Sequence, residues 1–192
     1  VVFENTKEVV LKAESVVQND CIIIEKEIII SDLELILIEA GLVDIQELDS
    51  SIYIDIKYSS TDNFMKMDMY GDFEKAYLQA DVAKKLSKAQ QYLKEEFPAY
   101  SLLVYDGVRP RSVQQIIWDS LKMPFHEKTK FVSNPKNGSI HNYGAAVDLT
   151  IINENQQILD MATPYDFIGK LAYPRLEQTL LSEGKISQEQ IN

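Results

Sequence analysis

The chain has 192 residues, a formal net charge of −11 at pH 7, and 45% hydrophobic residues. This length and composition are typical of one globular domain with a sizeable core, so disorder is not the default expectation. The acidic charge repels a phosphate backbone, so we expect no nucleic-acid partner. The apolar runs fall well short of the roughly 20 residues that a membrane-spanning helix needs, so we expect no transmembrane segment.

The chain contains a single cysteine, Cys21, so no intrachain disulfide can form. We expect Cys21 to be a small buried hydrophobe beside an isoleucine-rich stretch. No signal peptide is visible, so the localisation stays open between the cytoplasm and the periplasm. The oligomeric state is not predicted.

Local signals are weak over the first 50 residues and stronger afterwards. Ser31 and Glu34 form a capping-box pattern, and Gly41 is placed as a helix stop, although residues 35–38 would equally suit a strand. Between residues 52 and 58, apolar and polar residues alternate. This alternation predicts a strand with one buried face.

A long helix is predicted over residues 74–96, ended by Pro98. Its expected buried stripe recurs at helical spacing: Leu78, Val82, Leu86, Ala89 and Leu93. Residues 101–105 predict a short strand. Ser112 and Gln115 then form a second capping-box pattern, which predicts the start of another helix.

The remaining segments complete an α+β pattern. Residues 122–138 predict a long loop, 145–152 an apolar strand that contains Asp148, and 168–172 and 176–181 helical segments. The glycine-rich phosphate loops of nucleotide-binding α/β folds are not found. We therefore predict a single α+β domain with a central antiparallel sheet flanked by helices.

His141 and Asp148 carry the first chemical signal, because imidazole and carboxylate are good zinc ligands. They are seven residues apart, so in one continuous strand they would face opposite sides. Gly144 permits the bend that would bring them together. Burying Asp148 in its apolar surroundings is costly unless it meets a cation or donors. The alternative is a surface histidine and a turn-capping aspartate.

Arg109 carries the second signal, since it follows a predicted buried strand directly and precedes a predicted helix. Such strand ends are common places for functional sites. The alternative is a surface arginine paired with a nearby carboxylate.

Three segments together resemble a known family. They are S-x-H-x-x-G-x-A-V-D (139–148), D-G-x-R-P (106–110), and a D-x-x-Y…N-F stretch (55–64). This set is similar to the zinc-dependent D-alanyl-D-alanine dipeptidases, the vancomycin-resistance type, with the related carboxypeptidases less close. The resemblance covers residues 42–192 and leaves residues 1–41 as an N-terminal extension.

The resemblance implies a role for each matching residue. Zinc would be the cofactor, held by His141 and Asp148, and Arg109 would stabilise the charged tetrahedral intermediate. Tyr58 and Ser139 would contact the substrate, and Tyr70 would also line the pocket. A core tyrosine at position 58 and a loop-stabilising Asn63 are equally compatible with the pattern.

The family's third ligand and general base lie in a C-terminal E-x-x-H motif that is not found here. The two histidines are His126 and His141, and we expect that His126 does not substitute for the missing ligand. We therefore expect the domain to be truncated at its C-terminus.

The expected function is zinc-dependent hydrolysis of D-alanyl-D-alanine to D-alanine. The expected partner is therefore this small dipeptide substrate. One alternative is a carboxypeptidase or endopeptidase that acts on peptidoglycan stem peptides. Another is a non-catalytic module that binds cell-wall peptides.

Overall fold

The computed structural model describes residues 9–11, 28–129, 131–167 and 169–191. The described strands are β1 (Val9–Leu11), β2 (Ile28–Ile30), β3 (Leu42–Asp44), β4 (Tyr53–Ile54), β5 (Tyr77–Gln79), β6 (Ser101–Asp106) and β7 (Asp148–Ile152). The described α-helices are α1 (Asp32–Glu39), α2 (Ile45–Leu48), α3 (Ala80–Glu96), α4 (Arg111–Ser120), α5 (Phe125–Lys128) and α6 (Glu177–Ser182). Cys21 lies outside the described residues.

Strand β6 is the centre of the main sheet, which has the order β4-β6-β7. Strand β7 pairs with β6 antiparallel, but β4 pairs with β6 parallel. The α+β class is therefore confirmed, while the sheet is mixed rather than wholly antiparallel. Two further pairs, β1-β2 and β3-β5, are antiparallel.

The predicted helix over residues 74–96 is wrong in its first part. Tyr77–Gln79 forms β5, which pairs with Leu42–Asp44, and the helix α3 begins only at Ala80. Leu78 has the right spacing for the helix stripe, but it is fully buried in the strand. Pairing with a segment more than 30 residues away overrides the local helical spacing. The buried face of α3 also shifts, because Ala89 is exposed.

The capping-box predictions have different outcomes. The box at Ser31 and Glu34 is formed at the start of α1, and Gly41 adopts a φ of 79° after its end, so this helix is confirmed. The box at Ser112 and Gln115 is not formed. Pro110 occupies the cap position of α4, which places Ser112 inside the first turn.

The predicted strand over residues 52–58 is confirmed only in part. β4 is two residues long, and Lys57–Ser59 forms a 3₁₀ helix instead. The alternation of burial persists, since Ile52, Ile56 and Tyr58 are buried whereas Tyr53 is 40% exposed. The chain therefore keeps its buried face while it leaves the sheet.

The C-terminal third contains short elements. α5 lies within the predicted loop of residues 122–138. The helical predictions near the end correspond to 3₁₀ helices at Lys170–Ala172 and Pro174–Leu176, followed by α6; Ile168 lies outside the described residues. In the described part of the chain, every helix is too short or too polar to cross a bilayer.

Hydrophobic residues pack on both faces of the main sheet. Leu102 and Val104 of β6 belong to the larger core, which also contains Val113 and Ile117 of α4. Leu103 and Tyr105 point to the other face and pack with Ile152 and Tyr165. Strand β6 is buried along its whole length, so the residues at its carboxyl end are held rigidly.

Candidate active site

The end of β6 and the start of β7 lie side by side. The antiparallel register places Asp106 opposite Asp148, with an irregularity between Val104 and Asp106. Gly107 follows immediately, and a Cβ atom at this position would lie 3.0 Å from the carbonyl oxygen of Tyr77. The absence of a side chain at Gly107 therefore allows the turn that carries Arg109 to pack closely against β5.

A 3₁₀ helix, Ile140–Tyr143, presents the histidine. The Ser139 side chain caps this helix by accepting a hydrogen bond from the His141 amide, at 3.3 Å. Gly144 ends it in the left-handed region, at φ 63° and ψ 27°. The bend predicted at this glycine is confirmed, and the chain then enters β7 at Asp148.

His141 and Asp148 converge as ligands would. The Nε2 atom of His141 lies 3.5 Å from Oδ1 of Asp148. On the other side of the ring, Nδ1 lies 2.9 Å from the carbonyl oxygen of Gly107. A carbonyl can only accept, so the hydrogen bond places the proton of a neutral imidazole on Nδ1. The lone pair on Nε2 is then directed toward Asp148, as a metal ligand requires.

The surroundings of this pair favour a positive charge on His141 and a negative charge on Asp148. Burial is the largest single effect and lowers the pKa of His141, but the hydrogen bond to Asp148 and the negative charges of Asp148 and Asp106 together raise this pKa above its usual value. Burial alone raises the pKa of Asp148, yet His141 and Arg109 hold the pKa of this carboxyl below its usual range. Asp148 is thus kept ionised, which is the state in which a carboxylate binds metal.

Arg109 is only 8% exposed, so the alternative of a surface arginine is wrong. Its Nε donates to Oδ2 of Asp106 at 2.8 Å, and its Nη2 donates to Oδ2 of Asp148 at 3.2 Å. Its Nη1 donates to Oε1 of Gln114, also at 3.2 Å. The guanidinium carbon lies 5.0 Å from the centre of the Tyr58 ring. These contacts hold a permanent positive charge beside the two candidate ligands.

The backbone connects the arginine and histidine segments directly. The Arg109 amide donates to the carbonyl oxygen of His141 at 3.0 Å. In return, the Asn142 side chain donates to the carbonyl oxygen of Arg109 at 2.8 Å. The two motifs therefore form one rigid unit rather than two adjacent loops.

A cavity of about 450 Å³ opens onto this unit. The five residues singled out from the sequence all line it: Tyr58, Arg109, Ser139, His141 and Asp148. Aromatic and aliphatic side chains from three further chain segments complete the wall: Phe64, Phe131, Val132, Phe167 and Tyr173. The cavity thus combines apolar walls with a few convergent polar groups, as small-molecule sites do.

Tyr58 is buried, and its hydroxyl donates to Oδ2 of Asp166 at 3.3 Å. Burial raises the pKa of Tyr58, so the hydroxyl keeps its proton. Burial and the charge of Asp148 raise the pKa of Asp166 to about 6. Asp166 lines the same cavity and adopts a φ of 58°, which is uncommon for a residue other than glycine.

Sequence reasoning missed Asp166 and Tyr165. The Tyr165 hydroxyl donates to Oδ2 of Asp148 at 3.2 Å. Both residues belong to a loop without periodicity, and no local pattern distinguishes them from other polar or aromatic loop residues. Their role is visible only in the folded chain.

Two other sequence predictions concern residues near the cavity. Tyr70 does not line the cavity, because it is buried behind it and donates to Oδ1 of Asp106 at 2.9 Å. The side-chain nitrogen of Asn63 lies 2.7–3.0 Å from three backbone carbonyl oxygens, which its two N–H groups bind, so the loop-stabilising alternative is confirmed.

The donor set fits a metal such as zinc through two residues. Asp106, His141 and Asp148 offer ligand atoms that all lie within 4.8 Å of one another. Both oxygens of Asp106 are already engaged, by Arg109 and Tyr70, so it is not a free ligand. The Nε2 of His141 and a carboxylate oxygen of Asp148 remain, and both are common zinc ligands. His126 is exposed and lies outside this cluster.

Comparison with known proteins identifies the family of this chain. Residues 38–189 match the family model described as D-Ala-D-Ala dipeptidase. The chain belongs to this family. All five candidate residues lie within the matched segment, and membership supports a peptidase function.

Two curated relatives carry the same description. The chain is 29% identical to the D-alanyl-D-alanine dipeptidase of Escherichia coli over 125 residues, which covers 65% of this chain and 61% of the relative. It is 26% identical to the D-alanyl-D-alanine dipeptidase of a Synechocystis species over 127 residues, which covers 54% of this chain and 51% of the relative. The chain thus spans less than two thirds of the length of these relatives.

Proposed function

We propose that the chain is the core of a zinc-dependent dipeptidase that hydrolyses D-alanyl-D-alanine to D-alanine. The observation that carries the proposal is the convergence of His141 and Asp148 beside the Arg109 guanidinium, at one cavity. The similarity to the two relatives described as D-alanyl-D-alanine dipeptidases supports the choice of substrate.

His141 and Asp148 would hold the zinc ion. Bound zinc supplies a Lewis acid for a carbonyl oxygen and lowers the pKa of a coordinated water to about 7. The protein's contribution is orientation: the Gly107 carbonyl fixes the histidine tautomer, and Tyr165 and Arg109 both donate to Oδ2 of Asp148. Oδ1 of Asp148 is left facing Nε2 of His141.

Arg109 would stabilise negative charge on the scissile carbonyl oxygen. A guanidinium has five N–H donors, and described residues accept hydrogen bonds from three of its nitrogen positions. Arg109 lines the cavity, and Nη1, which donates to Gln114 through one N–H, has a second N–H that can donate to an oxyanion. In a site shielded from water, such a fixed charge stabilises the transition state strongly.

Asp166, Tyr58 and Ser139 would bind the polar ends of the dipeptide. The Asp166 carboxylate suits the ammonium group of the substrate, and above about pH 6 it is mainly ionised. Tyr58 orients this carboxylate, and Ser139 lies on the cavity wall near His141. The cavity of about 450 Å³ is large enough for a dipeptide.

The substrate is tested by comparing peptides of different length and chirality. With zinc present, we expect D-alanine release from D-alanyl-D-alanine to exceed release from a longer stem peptide with the same C-terminus, and we expect no cleavage of L-alanyl-L-alanine. Preference for the longer peptide would overturn the dipeptidase proposal in favour of a carboxypeptidase.

One observation favours a second candidate, a binding module without hydrolysis. Among the described residues, two rather than three metal ligands remain free at the site. Binding of D-alanyl-D-alanine in a calorimeter, without release of D-alanine in the presence of zinc, would support this alternative.

A further inference from the structure

Asp106 is a buried carboxylate, 0% exposed, whose two oxygens have different partners. Oδ2 accepts the hydrogen bond from Nε of Arg109 and lies 2.6 Å from Nη2 of the same guanidinium. Oδ1 accepts the hydroxyl of Tyr70 at 2.9 Å. A buried charge without such partners would be costly, so the fold depends on these contacts to keep the Asp106 carboxylate buried.

The contacts determine which edge of Arg109 faces the cavity. A guanidinium is planar and rigid, so fixing the edge that contains Nε also fixes both Nη atoms. With that edge against Asp106, Nη1 points to Gln114 and Nη2 points to Asp148. Both of these residues line the cavity, as Arg109 does.

Tyr70 is itself held in place. It is 4% exposed, and its ring makes edge contacts with Tyr58 at 5.8 Å and with Phe73 at 6.0 Å between centroids. Its hydroxyl therefore has little freedom to leave Asp106.

We propose that Asp106 is a positioning residue for Arg109, and that the Tyr70 hydroxyl orients Asp106. The effect of Asp106 on catalysis rests on the function proposed for Arg109. The positioning of the Arg109 side chain by Asp106 does not depend on that function. Neither residue touches the substrate; both act through the guanidinium.

The chain contains three arginines, Arg109, Arg111 and Arg175, so its arginine Nε–H groups give a simple NMR spectrum. Arg111 and Arg175 are exposed. We expect the Nε–H of Arg109 to exchange with solvent at least about tenfold more slowly than the other two, because a buried, hydrogen-bonded N–H exchanges only through local opening.

The variant Tyr70→Phe removes only the hydroxyl and should accelerate that exchange at least about threefold. Asp106→Asn should accelerate it more. Tyr77→Phe is the matched control, since it removes a buried tyrosine hydroxyl that donates to Glu34 at 3.2 Å, away from Arg109. Equal exchange in Tyr70→Phe and the parent, or equal acceleration in both tyrosine variants, would overturn the proposal.

This measurement needs neither zinc nor turnover, so its failure is distinguishable from failure of the proposed function. In a protein that turns over the dipeptide, the loss of kcat caused by Tyr70→Phe should disappear in an Arg109→Lys background. A loss that persists there would show that Tyr70 does not act through Arg109.

Discussion

Arg109 is the residue on which the proposed chemistry depends most. Arg109→Lys keeps a cation near Asp106 but loses the rigid fork of donors. We expect kcat to fall by about 10²- to 10³-fold, as for the loss of an oxyanion donor, with zinc content unchanged. Steady-state kinetics and metal analysis of the purified variant measure both quantities.

Arg111→Lys is the control for this substitution. Arg111 is an exposed neighbour that donates to the Tyr143 hydroxyl at 2.8 Å, away from the two ligands. We expect its kcat to stay near that of the parent. Unchanged turnover in Arg109→Lys would contradict the role given to this residue.

At the scale of elements, the bend at Gly144 brings the two ligands together. A Cβ atom there would lie 3.0 Å from Cδ2 of Leu42 and 3.3 Å from the backbone nitrogen of Gln79, at a φ of 63°. Gly144→Ala should therefore cost about 1–3 kcal/mol of stability and weaken zinc binding. Urea unfolding and zinc titration test the two effects.

The variant Gly184→Ala is the control for Gly144→Ala. It introduces the same backbone strain without the close contacts that a Cβ atom would make at Gly144. Gly184 has a nearly identical φ of 65°, and a Cβ atom at this position would have none of the described residues within 4 Å. We expect a smaller loss of stability there and no change in zinc affinity. Equal effects at both glycines would refute the argument from packing around Gly144.

Glu34, in the capping box of α1, should make the stability of the folded protein depend on pH. Burial alone raises the pKa of Glu34, but hydrogen bonds from Lys75, Ser31 and Tyr77 lower it below its usual value. The stabilising contribution is therefore fully present above the pKa of the unfolded chain, about 4.3, and is lost as pH falls through the lower pKa of the folded chain.

The variant Glu34→Gln tests this contribution. At pH 7 it should lower the free energy of unfolding by about 1 kcal/mol, and the difference from the parent should shrink below about pH 4. Glu39→Gln, at the exposed end of the same helix, should show neither effect. If the free energies of unfolding of Glu34→Gln and the parent differ by the same amount from neutral to strongly acidic pH, the electrostatic explanation is wrong.

Local patterns predicted the elements that depend on local physics. The capping box at Ser31 and the bend at Gly144 both follow from neighbouring residues. Strand β5 was not predictable in this way, since its helical spacing is overridden by pairing with β3. Asp166 joins the site from a distant loop, and only the folded chain shows that contact with Tyr58.

At the scale of the whole molecule, the fold brings three chain segments to one end of β6. The family resemblance carried by these segments is confirmed by the match over residues 38–189. The roles of the five candidate residues, and the division into an extension of residues 1–41 and a domain of 42–192, stay predictions. So does the expectation of a small dipeptide as the partner.

The most direct test of the central claim is D-alanine release from D-alanyl-D-alanine, measured with added zinc, with a chelator, and after zinc is restored. We expect release with zinc, loss of release with the chelator, and recovery on restoration, with no zinc-dependent release from His141→Ala. Release that is indifferent to the chelator, or that survives in His141→Ala, would contradict a zinc site at His141 and Asp148.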